Sequence, residues 1–499
     1  MTKPVADILL LLEGTYPYIR GGVSSWVHQL IQGLPELTFE LMFLGGSKAA
    51  YGPMQYQLPK NVTALHTHYL MDIKAPHTPN RRSGNKNAFN HWLALQYYFR
   101  QTDRPIPEEN IKELFSSLGV LNGFEMTDFL YSEASWDVIC QYFERYCDDP
   151  SFINFFWTYR SMFAPLFKIA ELARQAPKTR VVHSISTGYA GFLGAGIHAL
   201  HQTPFLLTEH GIYTKERTID LIQAEWIQES EAKLYANLNA TMGDMRQMWI
   251  KFFEQLGRSA YQQAQRITSL YPGNQQRQIR DGAPSERTDV IANGIALERF
   301  SQIAQQDRPS ISNVVGLIGR VVPIKDIKTF IRSIKEAIAY NSSIEGWIVG
   351  PLDEDEAYVA ECRLLVKSLD LESHIKFLGM QNVVEIFPQL GLTALTSISE
   401  AQPLVLLESM ASGVPVLATQ VGSCNELING YTEQDKALGP SGELVPIASA
   451  VTTGQTIAKM LADPERWQCY RQSGLKRVNQ FYGEQLMFSL YRQQYKDLM

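Results

Sequence analysis

Two glutamates separated by seven residues stand in the most informative stretch of the sequence, LTSISEAQPLVLLESMASGVPVLAT. Pro403 disfavours a helical Gln402 and suits the first turn of a helix, which predicts a loop position for Glu400 and a helical one for Glu408. The N–H groups at the start of this helix would face a phosphate. These groups belong to Leu404, Val405 and Leu406. Glu408 could then accept hydrogen bonds from paired hydroxyls, and Glu400 would reach past the phosphate.

Two cations follow an earlier strand pattern. Arg320 ends VVGLIGR, and Lys325 precedes Asp326, a good N-cap for the next helix. Two cations at a helix N-terminus oppose the helix dipole unless an anion lies between them. A diphosphate would resolve that conflict, with a bidentate contact from Arg320 and a point charge from Lys325. Solvated surface residues are the bland alternative, but the position at the end of a strand favours binding.

A pair of glycines, Gly21 and Gly22, follows the first strand pattern and precedes a helix that we expect to be capped by Ser24 or Ser25. Such a loop can cradle an anion. Paired glycines also make ordinary tight turns, and the full G-x-G-x-x-G pattern of dinucleotide binding is missing. The motif alone leaves both interpretations open.

The elements that must position these residues recur twice along the chain. Short apolar runs alternate with longer helical patterns, which is typical of β-α-β units on a parallel sheet. The runs of the first half are DILLLLEG, FELMFLGG, VTALHTH, RVVHSIS, PFLLTEHG, RITSLY and DVIANGI, and those of the second half are VVGLIGR, EGWIVGP, HIKFLGM, LTALTS, PVLATQVG and GELVP. The sequence therefore predicts an α/β fold with two Rossmann-like, doubly wound parallel-sheet domains.

A length of 499 residues favours two domains. We expect an N-terminal domain over residues 1–305, with an insertion near 71–150 that has a mobile tip and contains APHTPNRRSGNKN, and a C-terminal domain over 306–481. The polar stretch 301–312 is the expected linker. A final helix, about 482–499, is long enough to return to the first domain.

Composition narrows the class of protein. Hydrophobic residues make up 45% and charged residues 19%, as in soluble globular proteins. The net charge of -6 gives no overall attraction for nucleic acid. Five scattered cysteines without metal-ligand spacing fit a reducing compartment. The apolar segment 152–173 is interrupted by polar residues, so we interpret it as a buried helix, with contact at a membrane surface as an alternative.

Several of these motifs resemble those of retaining glycosyltransferases of family GT4, which have the GT-B fold: E-x7-E in EAQPLVLLE, GR-x4-K in GRVVPIK, the VIANGI stretch and the Gly-Gly loop. Three longer stretches, GTYPYIRGGVSSWVHQLI, LLTEHGIYTKER and GLIGRVVPIKDIKTFI, resemble the cytosolic glycosyltransferases of Pel exopolysaccharide synthesis. The resemblance implies two domains facing across a cleft that holds a UDP-sugar donor. It also implies transfer of a hexose, with glucose favoured, to a polysaccharide acceptor.

The resemblance assigns roles to individual positions. Arg320 and Lys325 would bind the donor diphosphate, Glu408 the ribose and Glu400 the hydroxyls of the transferred sugar. Candidate catalytic residues are His210, Glu400, Arg320 and Lys325. Candidate donor-binding residues are Gly21, Gly22, Arg320, Lys325, Glu400, Pro403, Leu404, Val405 and Glu408.

Two histidines need separate interpretation. His210, in TEHG, matches the histidine that many family members place against the donor sugar, whereas without the resemblance a structural role would be favoured. We interpret His183 as structural. The resemblance implies no cofactor and no metal, with Arg320 and Lys325 in place of a metal ion. The acidic stretch DEDEA reads as a helix start rather than as an ion site.

Three alternatives remain open from the sequence. A glycoside hydrolase also uses two carboxylates, but Arg320 and Lys325 would then be unexplained. A sugar-nucleotide epimerase would interconvert its substrate without releasing UDP. A sensor would bind a nucleotide sugar without turnover. For the transferase, we expect a cytoplasmic protein, in contact with the inner face of the membrane if its partner is a membrane-bound polysaccharide synthase complex.

Overall fold

Two parallel β-sheets organise the chain. The computed structural model describes residues 4–72, 82–101, 104–120, 124–147, 151–224, 227, 244–306, 308 and 310–499. Unit 1 comprises Met1–Ser269, Gln275–Val290 and Tyr491–Met499, and unit 2 comprises Leu270–Asn274 and Ile291–Leu490. The sequence placed the main division between residues 305 and 306. In the structure it falls between residues 290 and 291, where the chain leaves the last strand of unit 1.

The sheet of unit 1 has seven parallel strands in the order β3-β2-β1-β4-β5-β6-β7. Its strands are β1 (Ala6–Glu13), β2 (Phe39–Gly45), β3 (Val62–Tyr69), β4 (Thr179–Ser184), β5 (Phe205–Glu209), β6 (Arg266–Ser269) and β7 (Thr288–Val290). Each corresponds to a strand that the sequence predicted. The order reverses between β1 and β4, and the carboxyl ends of strands at such a point are where ligands bind in this type of sheet.

The helices of the first part of the chain include the predicted insertion. They are α1 (Gly22–Gly33), α2 (Lys86–Arg100), α3 (Glu108–Ser117), α4 (Met126–Tyr131), α5 (Glu133–Tyr146), α6 (Phe152–Arg174), α7 (Tyr189–His201), α8 (Tyr213–Gln223), α9 (Asp244–Gln263) and α10 (Pro272–Arg280), with 3-10 turns at Lys48–Ala50 and Ser285–Arg287. Among its described residues, the insertion thus consists mainly of the helices α2 to α5. Residues 73–81 of its expected mobile tip lie outside the described residues.

The sheet of unit 2 has six parallel strands in the order β10-β9-β8-β11-β12-β13, with the reversal between β8 and β11. Its strands are β8 (Val314–Ile318), β9 (Glu345–Val349), β10 (Ile375–Gly379), β11 (Leu392–Leu395), β12 (Val416–Thr419) and β13 (Gly442–Val445). All six were predicted. Both sheets are therefore doubly wound, and the predicted α/β fold class is confirmed.

The helices of the second part connect these strands. They are α11 (Ser301–Ala304), α12 (Ile327–Ile338), α13 (Glu356–Ser368), α14 (Val383–Ile386), α15 (Leu404–Ala411), α16 (Cys424–Asn429), α17 (Glu433–Lys436), α18 (Ala450–Ala462), α19 (Pro464–Phe481) and α20 (Glu484–Leu498), with 3-10 turns at Leu297–Phe300, Pro323–Lys325 and Phe387–Gln389. The expected linker begins with α11 and so is partly helical. The last nine residues, Tyr491–Met499, belong to unit 1.

Each unit has its own apolar core. In unit 1 the run Ile8–Leu12 of β1 is fully buried, because helices cover both faces of a parallel sheet. In unit 2 the core joins β8 and β11 to the apolar face of α12. Because the strands are buried along their length, chemistry can occur only at their polar ends.

Candidate functional site

Lys325 and Glu400 form an ion pair at the switch point of unit 2, between the loops that follow β8 and β11. The Lys325 Nζ lies 2.5 Å from the Glu400 Oε1, and only 19% and 12% of the two side chains are exposed. The Thr396 hydroxyl donates to the carbonyl oxygens of Lys325 and Asp326, each at 3.0 Å, and so ties the two loops together. Asp326 caps α12, as predicted, by accepting the N–H of Thr329. The structure thus brings two candidate site residues into direct contact.

Arg320 has a different partner. Its guanidinium lies 2.9 Å from Glu354, and 58% of its side chain is exposed. Each cation thus has its own carboxylate, so the conflict with the helix dipole is relieved by Glu354 and Glu400 rather than by a shared anion. An exposed ion pair contributes little to stability, so the guanidinium of Arg320 can exchange Glu354 for a phosphate at small cost.

Helix α15 begins as the sequence predicted, with Pro403 as N-cap. The preceding residue is fixed by a long-range contact, since the Gln402 side chain accepts the N–H of Asn293 at 2.6 Å. The expectation of three free N–H groups is wrong for Leu406, whose N–H donates to the Pro403 carbonyl oxygen at 3.2 Å. Leu404 and Val405 occupy the first turn, where N–H groups have no intrahelical partner four residues back and can face an anion.

Glu408 lies one turn into α15. Burial raises the pKa of its carboxyl to about 7, and the positive charge of Arg299 opposes that rise. A carboxyl with this pKa is only partly ionised at neutral pH. Hydroxyl donors from a ligand would stabilise its charged form.

Four polar atoms around these loops are buried and have no hydrogen-bond partner among the described residues. They are Ser397 Oγ, Ser423 Oγ, Glu426 Oε2 and Asn293 Oδ1. The loops are close: Ser423 donates its N–H to the Ala401 carbonyl oxygen, and a Cβ at Gly422 would lie 2.1 Å from the Glu400 carbonyl oxygen. An unpaired buried polar atom costs about 1–3 kcal/mol, so this cluster indicates a ligand site.

The sequence analysis missed these four residues. Ser397 and Ser423 lie two and four residues past the ends of β11 and β12, and this position near the carboxyl end of a strand is the signal that could have identified them. Asn293 lies three residues past β7 within the VIANGI stretch, whereas Glu426 carries no such signal. Only the folded loops bring them to the site.

In unit 1, α1 carries the glycine pair. The helix begins at Gly22 with Gly21 as N-cap, and a Cβ at either glycine would meet nothing within 4 Å. The prediction of a Ser24 or Ser25 cap is wrong, because both serines already lie within the first turn, where Ser25 donates its N–H to the Gly21 carbonyl oxygen. The space around the glycines leaves the backbone accessible.

His210 follows β5 and packs against α1. Its ring makes an edge contact with Trp26 of α1, with centroids 4.5 Å apart. Burial lowers the pKa of His210 to about 3, so the imidazole is neutral at physiological pH. The same burial lowers the pKa of His183 to about 3, and this ring contacts the Tyr495 hydroxyl at 2.7 Å and the Thr208 hydroxyl at 2.8 Å. Those two contacts fit a structural role for His183.

A buried carboxylate at the switch point of unit 1 also escaped the sequence analysis. Glu13 ends β1 and accepts the N–H of Ala190 at 2.9 Å and the hydroxyl of Tyr213 at 2.8 Å. Burial raises its pKa. Because Ala190 lies in the first turn of α7 and Tyr213 begins α8, Glu13 fixes two loops beside the strand order reversal.

Within the described ranges, no group of three or more His, Cys, Asp or Glu residues could hold a metal ion. The helices of those ranges are all too short or too polar to cross a membrane.

Two family models match the chain. Residues 6–286 match "Domain of unknown function (DUF3492)", and residues 298–477 match "Glycosyl transferases group 1". The first match alone covers more than half of the sequence. The chain belongs to the DUF3492 family. Its C-terminal part matches the group 1 glycosyltransferase model.

Parts of the chain are also similar to curated bacterial proteins. N-acetyl-alpha-D-glucosaminyl L-malate synthase of Bacillus anthracis is 31% identical over 136 residues, which cover 27% of this chain and 34% of that protein. D-inositol 3-phosphate glycosyltransferase of Rhodococcus jostii (strain RHA1) is 30% identical over 164 residues, which cover 30% and 36%. The chain thus spans about a third of the length of the curated relatives it matches.

Solved structures match over the whole chain. HepE of Anabaena, in complex with UDP and glucose, has a TM-score of 0.60 at 16% identity, covering 98% of this chain and 99% of that one. Sucrose-phosphate synthase of Thermosynechococcus elongatus has a TM-score of 0.58 at 17% identity, covering 99% of both. At such identities the likeness shows the fold, which is GT-B.

The candidate residues divide between the two matched regions. Gly21, Gly22 and His210 lie in the DUF3492 region. The group 1 glycosyltransferase region holds Arg320, Lys325, Glu400, Pro403, Leu404, Val405 and Glu408. Each region therefore has its own candidate residues at the carboxyl edge of its own sheet.

Proposed function

We propose that this member of the DUF3492 family is a retaining glycosyltransferase that transfers a hexose from a UDP-sugar to a polysaccharide acceptor. The observation that carries the proposal is the cluster at the switch point of unit 2. There a Lys325–Glu400 pair, the start of α15 and four unpaired buried polar atoms surround one set of loops. Cation, helix N-terminus and hydroxyl acceptors are the groups that a nucleoside diphosphate sugar needs.

The proposed roles follow from chemistry and position. Lys325 and Arg320 bind the diphosphate, together with the N–H groups of Leu404 and Val405. Glu408 accepts hydrogen bonds from the ribose hydroxyls. Glu400, next to Lys325, receives the hydroxyls of the transferred sugar. The four unpaired atoms are further candidates for polar contacts with this ligand.

Departure of UDP builds negative charge on the diphosphate and positive charge on the sugar ring. Fixed positive groups in a water-poor site stabilise that separation, and loss of one such group costs about 2.7–4 kcal/mol of transition-state stabilisation. In this mechanism the leaving diphosphate accepts the proton of the acceptor hydroxyl on the same face, which retains the anomeric configuration. A neutral His210 would donate or accept one hydrogen bond at the sugar, and Gly21 and Gly22 would admit the phosphates. The proposed reaction needs no metal, because Arg320 and Lys325 supply the positive charge.

The finer proposal concerns substrate and process. We propose glucose as the sugar and an exopolysaccharide as the acceptor, and we assign the protein to Pel synthesis, in the role of PelF, at the cytoplasmic face of the inner membrane. HepE was solved with UDP and with UDP-glucose, which supports a UDP-glucose donor by fold similarity. The long motifs that contain Gly21, His210 and Lys325 support the Pel assignment.

Replacement of Lys325 tests the donor site. For Lys325→Ala we expect UDP to bind roughly ten- to a hundredfold more weakly in calorimetry, since a charge-assisted hydrogen bond contributes about 1.5–3 kcal/mol. Lys328→Ala is the matched control, because Lys328 of α12 pairs with Glu361 of α13 and has no proposed role. Equal UDP affinity in both variants would contradict the assignment.

Replacement of Glu400 distinguishes recognition of the sugar from binding of the nucleotide. Glu400→Gln keeps the size of the side chain but frees Lys325 from its carboxylate. We therefore expect unchanged or tighter UDP binding and a smaller preference among UDP-sugars in the rate of UDP release. Glu361→Gln is the control. A large loss of UDP affinity in Glu400→Gln would refute this division of roles, and sugar interconversion without UDP release would identify an epimerase.

A further inference from the structure

A polar cavity lies in unit 1, and none of its lining residues has a role in the proposed transfer reaction. Its volume is about 190 Å³, and residues of α8, α9 and the end of α10 line it. Three arginines and two carboxylates face it, namely Arg258, Arg277, Arg280, Glu254 and Asp281. Water-sized spaces need only about 10–15 Å³, so this cavity can accommodate a larger polar group.

The lining carries more positive than negative charge. Asp281 is already committed to Arg277, whose Nε lies 2.8 Å from both carboxylate oxygens. The Thr214 hydroxyl is 3.5 Å from the same carboxylate. Neutralisation of Arg277 by Asp281 leaves two guanidinium groups, those of Arg258 and Arg280, against the single carboxylate of Glu254.

Arg258 is the most constrained of these arginines. Its Nε is buried and has no hydrogen-bond acceptor among the residues that the structure describes. Its guanidinium lies against the backbone of Gly282, where a Cβ would come within 3.1 Å of the Arg258 Nη1. Gly282 has a φ of +114°, a conformation that favours glycine. A buried N–H of a charged group without an acceptor is costly, and an anion in the cavity would satisfy it.

We propose that this cavity is a binding site for a phosphate group, held by Arg258 from inside and by Arg280 from the rim. Guanidinium groups match the geometry of phosphate oxygens and bind them through paired, charge-assisted hydrogen bonds. The site is separate from the proposed donor site, which lies in unit 2.

The cavity is connected to the loop that carries His210. Tyr261 lines the cavity, and its hydroxyl donates to the Glu209 Oε2 at 2.5 Å. The Gln278 side chain donates to the same oxygen at 3.0 Å, and Gln278 lies between Arg277 and Arg280 in the sequence. We therefore expect phosphate binding in this cavity to affect the segment that includes Glu209 and His210.

The test is calorimetric titration of the full chain with inorganic phosphate at constant ionic strength. We expect Arg258→Gln and Arg280→Gln each to weaken binding by about tenfold or more. Lys215→Gln, which removes an exposed cation of α8 outside the cavity lining, should bind as the unchanged protein does. Because Arg280 is exposed, its variant keeps the test valid if Arg258→Gln fails to fold.

Two further arms identify the site and the source of the phosphate. Lys325→Ala should retain phosphate binding, and UDP should not displace the phosphate. Titration with glycerol phosphate shows whether the site prefers free phosphate or a phosphate ester. Binding of either ligand supports the site, and the ligand that binds more tightly identifies the source of the phosphate. The proposal is overturned if the unchanged protein binds neither ligand, if both arginine variants bind like Lys215→Gln, or if Lys325→Ala alone abolishes binding. None of these results changes the test of the donor site by UDP.

Discussion

At the residue scale, the two residues proposed to bind the diphosphate differ in their ion pairs. Lys325 is largely buried and pairs with Glu400, whereas Arg320 is exposed and pairs with Glu354. Breaking the buried pair leaves an uncompensated charge, while breaking the exposed pair costs little. Lys325 and Glu400 are therefore preorganised as a unit. Arg320 is free to move towards a ligand.

Glu408 gives a prediction at the same scale, because its pKa is raised from 4.5 to about 7. The folded protein binds this proton more tightly than the unfolded chain, so the resulting stabilisation is complete below about pH 4.5 and is lost as the pH rises through about 7. Between pH 5 and pH 8 we expect this titration to lower the free energy of unfolding of the unchanged protein. In Glu408→Gln, which lacks the titrating group, the decrease should be smaller by about 2 kcal/mol.

Urea unfolding at both pH values without nucleotide measures this difference. Glu372→Gln, at an exposed position of the same unit, is the control and should keep the pH dependence of the unchanged protein. Identical pH dependence in all three proteins would show that Glu408 titrates normally.

At the scale of single elements, the last helix is held by polar contacts rather than by apolar packing alone. Tyr491 and Tyr495 of α20 are fully buried in unit 1. The Tyr495 hydroxyl contacts the His183 ring, and the Tyr491 hydroxyl lies 3.3 Å from the Thr208 hydroxyl. Trp26 packs against both Tyr491 and His210, so α20 contributes to the surroundings of a candidate catalytic residue.

This contact predicts a stability loss. Tyr495→Phe keeps the ring but leaves one nitrogen of the buried His183 without its partner, which we expect to cost about 1–3 kcal/mol in urea unfolding. Tyr97→Phe, a change of the same kind at a half-exposed position of unit 1, should alter stability by less than about 0.5 kcal/mol. Equal stability of the two variants would mean that the His183 contact is not formed in solution.

At the scale of the whole molecule, each unit is a doubly wound sheet with candidate residues at its carboxyl edge. Ligands bind at that edge because loops and helix N-termini leave polar groups there, whereas the strands themselves are buried. The donor site proposed for unit 2 depends on the loops after β8, β11 and β12. All three belong to unit 2, so this unit should show most of the response to nucleotide.

Hydrogen exchange with and without UDP tests this expectation. At a UDP concentration a hundred times the dissociation constant, the chain should be stabilised by about 2.7 kcal/mol. We expect slower exchange in segments 320–325 and 397–408 and unchanged exchange in 341–344, a turn at the opposite edge of the sheet. Protection confined to unit 1 would place UDP elsewhere.

The sequence by itself determined the architecture, because its signals are local. Short runs bounded by turn residues and separated by helical patterns predicted the thirteen strands of the two sheets. Strands covered on both faces are the clearest of these, because they are continuous apolar runs such as Ile8–Leu12. The Pro403 start of α15 and the Asp326 cap of α12 depend on neighbouring residues only, and both were predicted. Such features need no knowledge of the rest of the chain.

Tertiary structure alone decided which polar groups meet. The partners of Arg320 and Lys325 lie 34 and 75 residues away in sequence, and Asn293 reaches Gln402 across 109 residues. No local pattern encodes such pairs, because they arise when loops from different strands come together at one sheet edge. For the same reason the buried carboxylate of Glu13 became visible only in the folded chain.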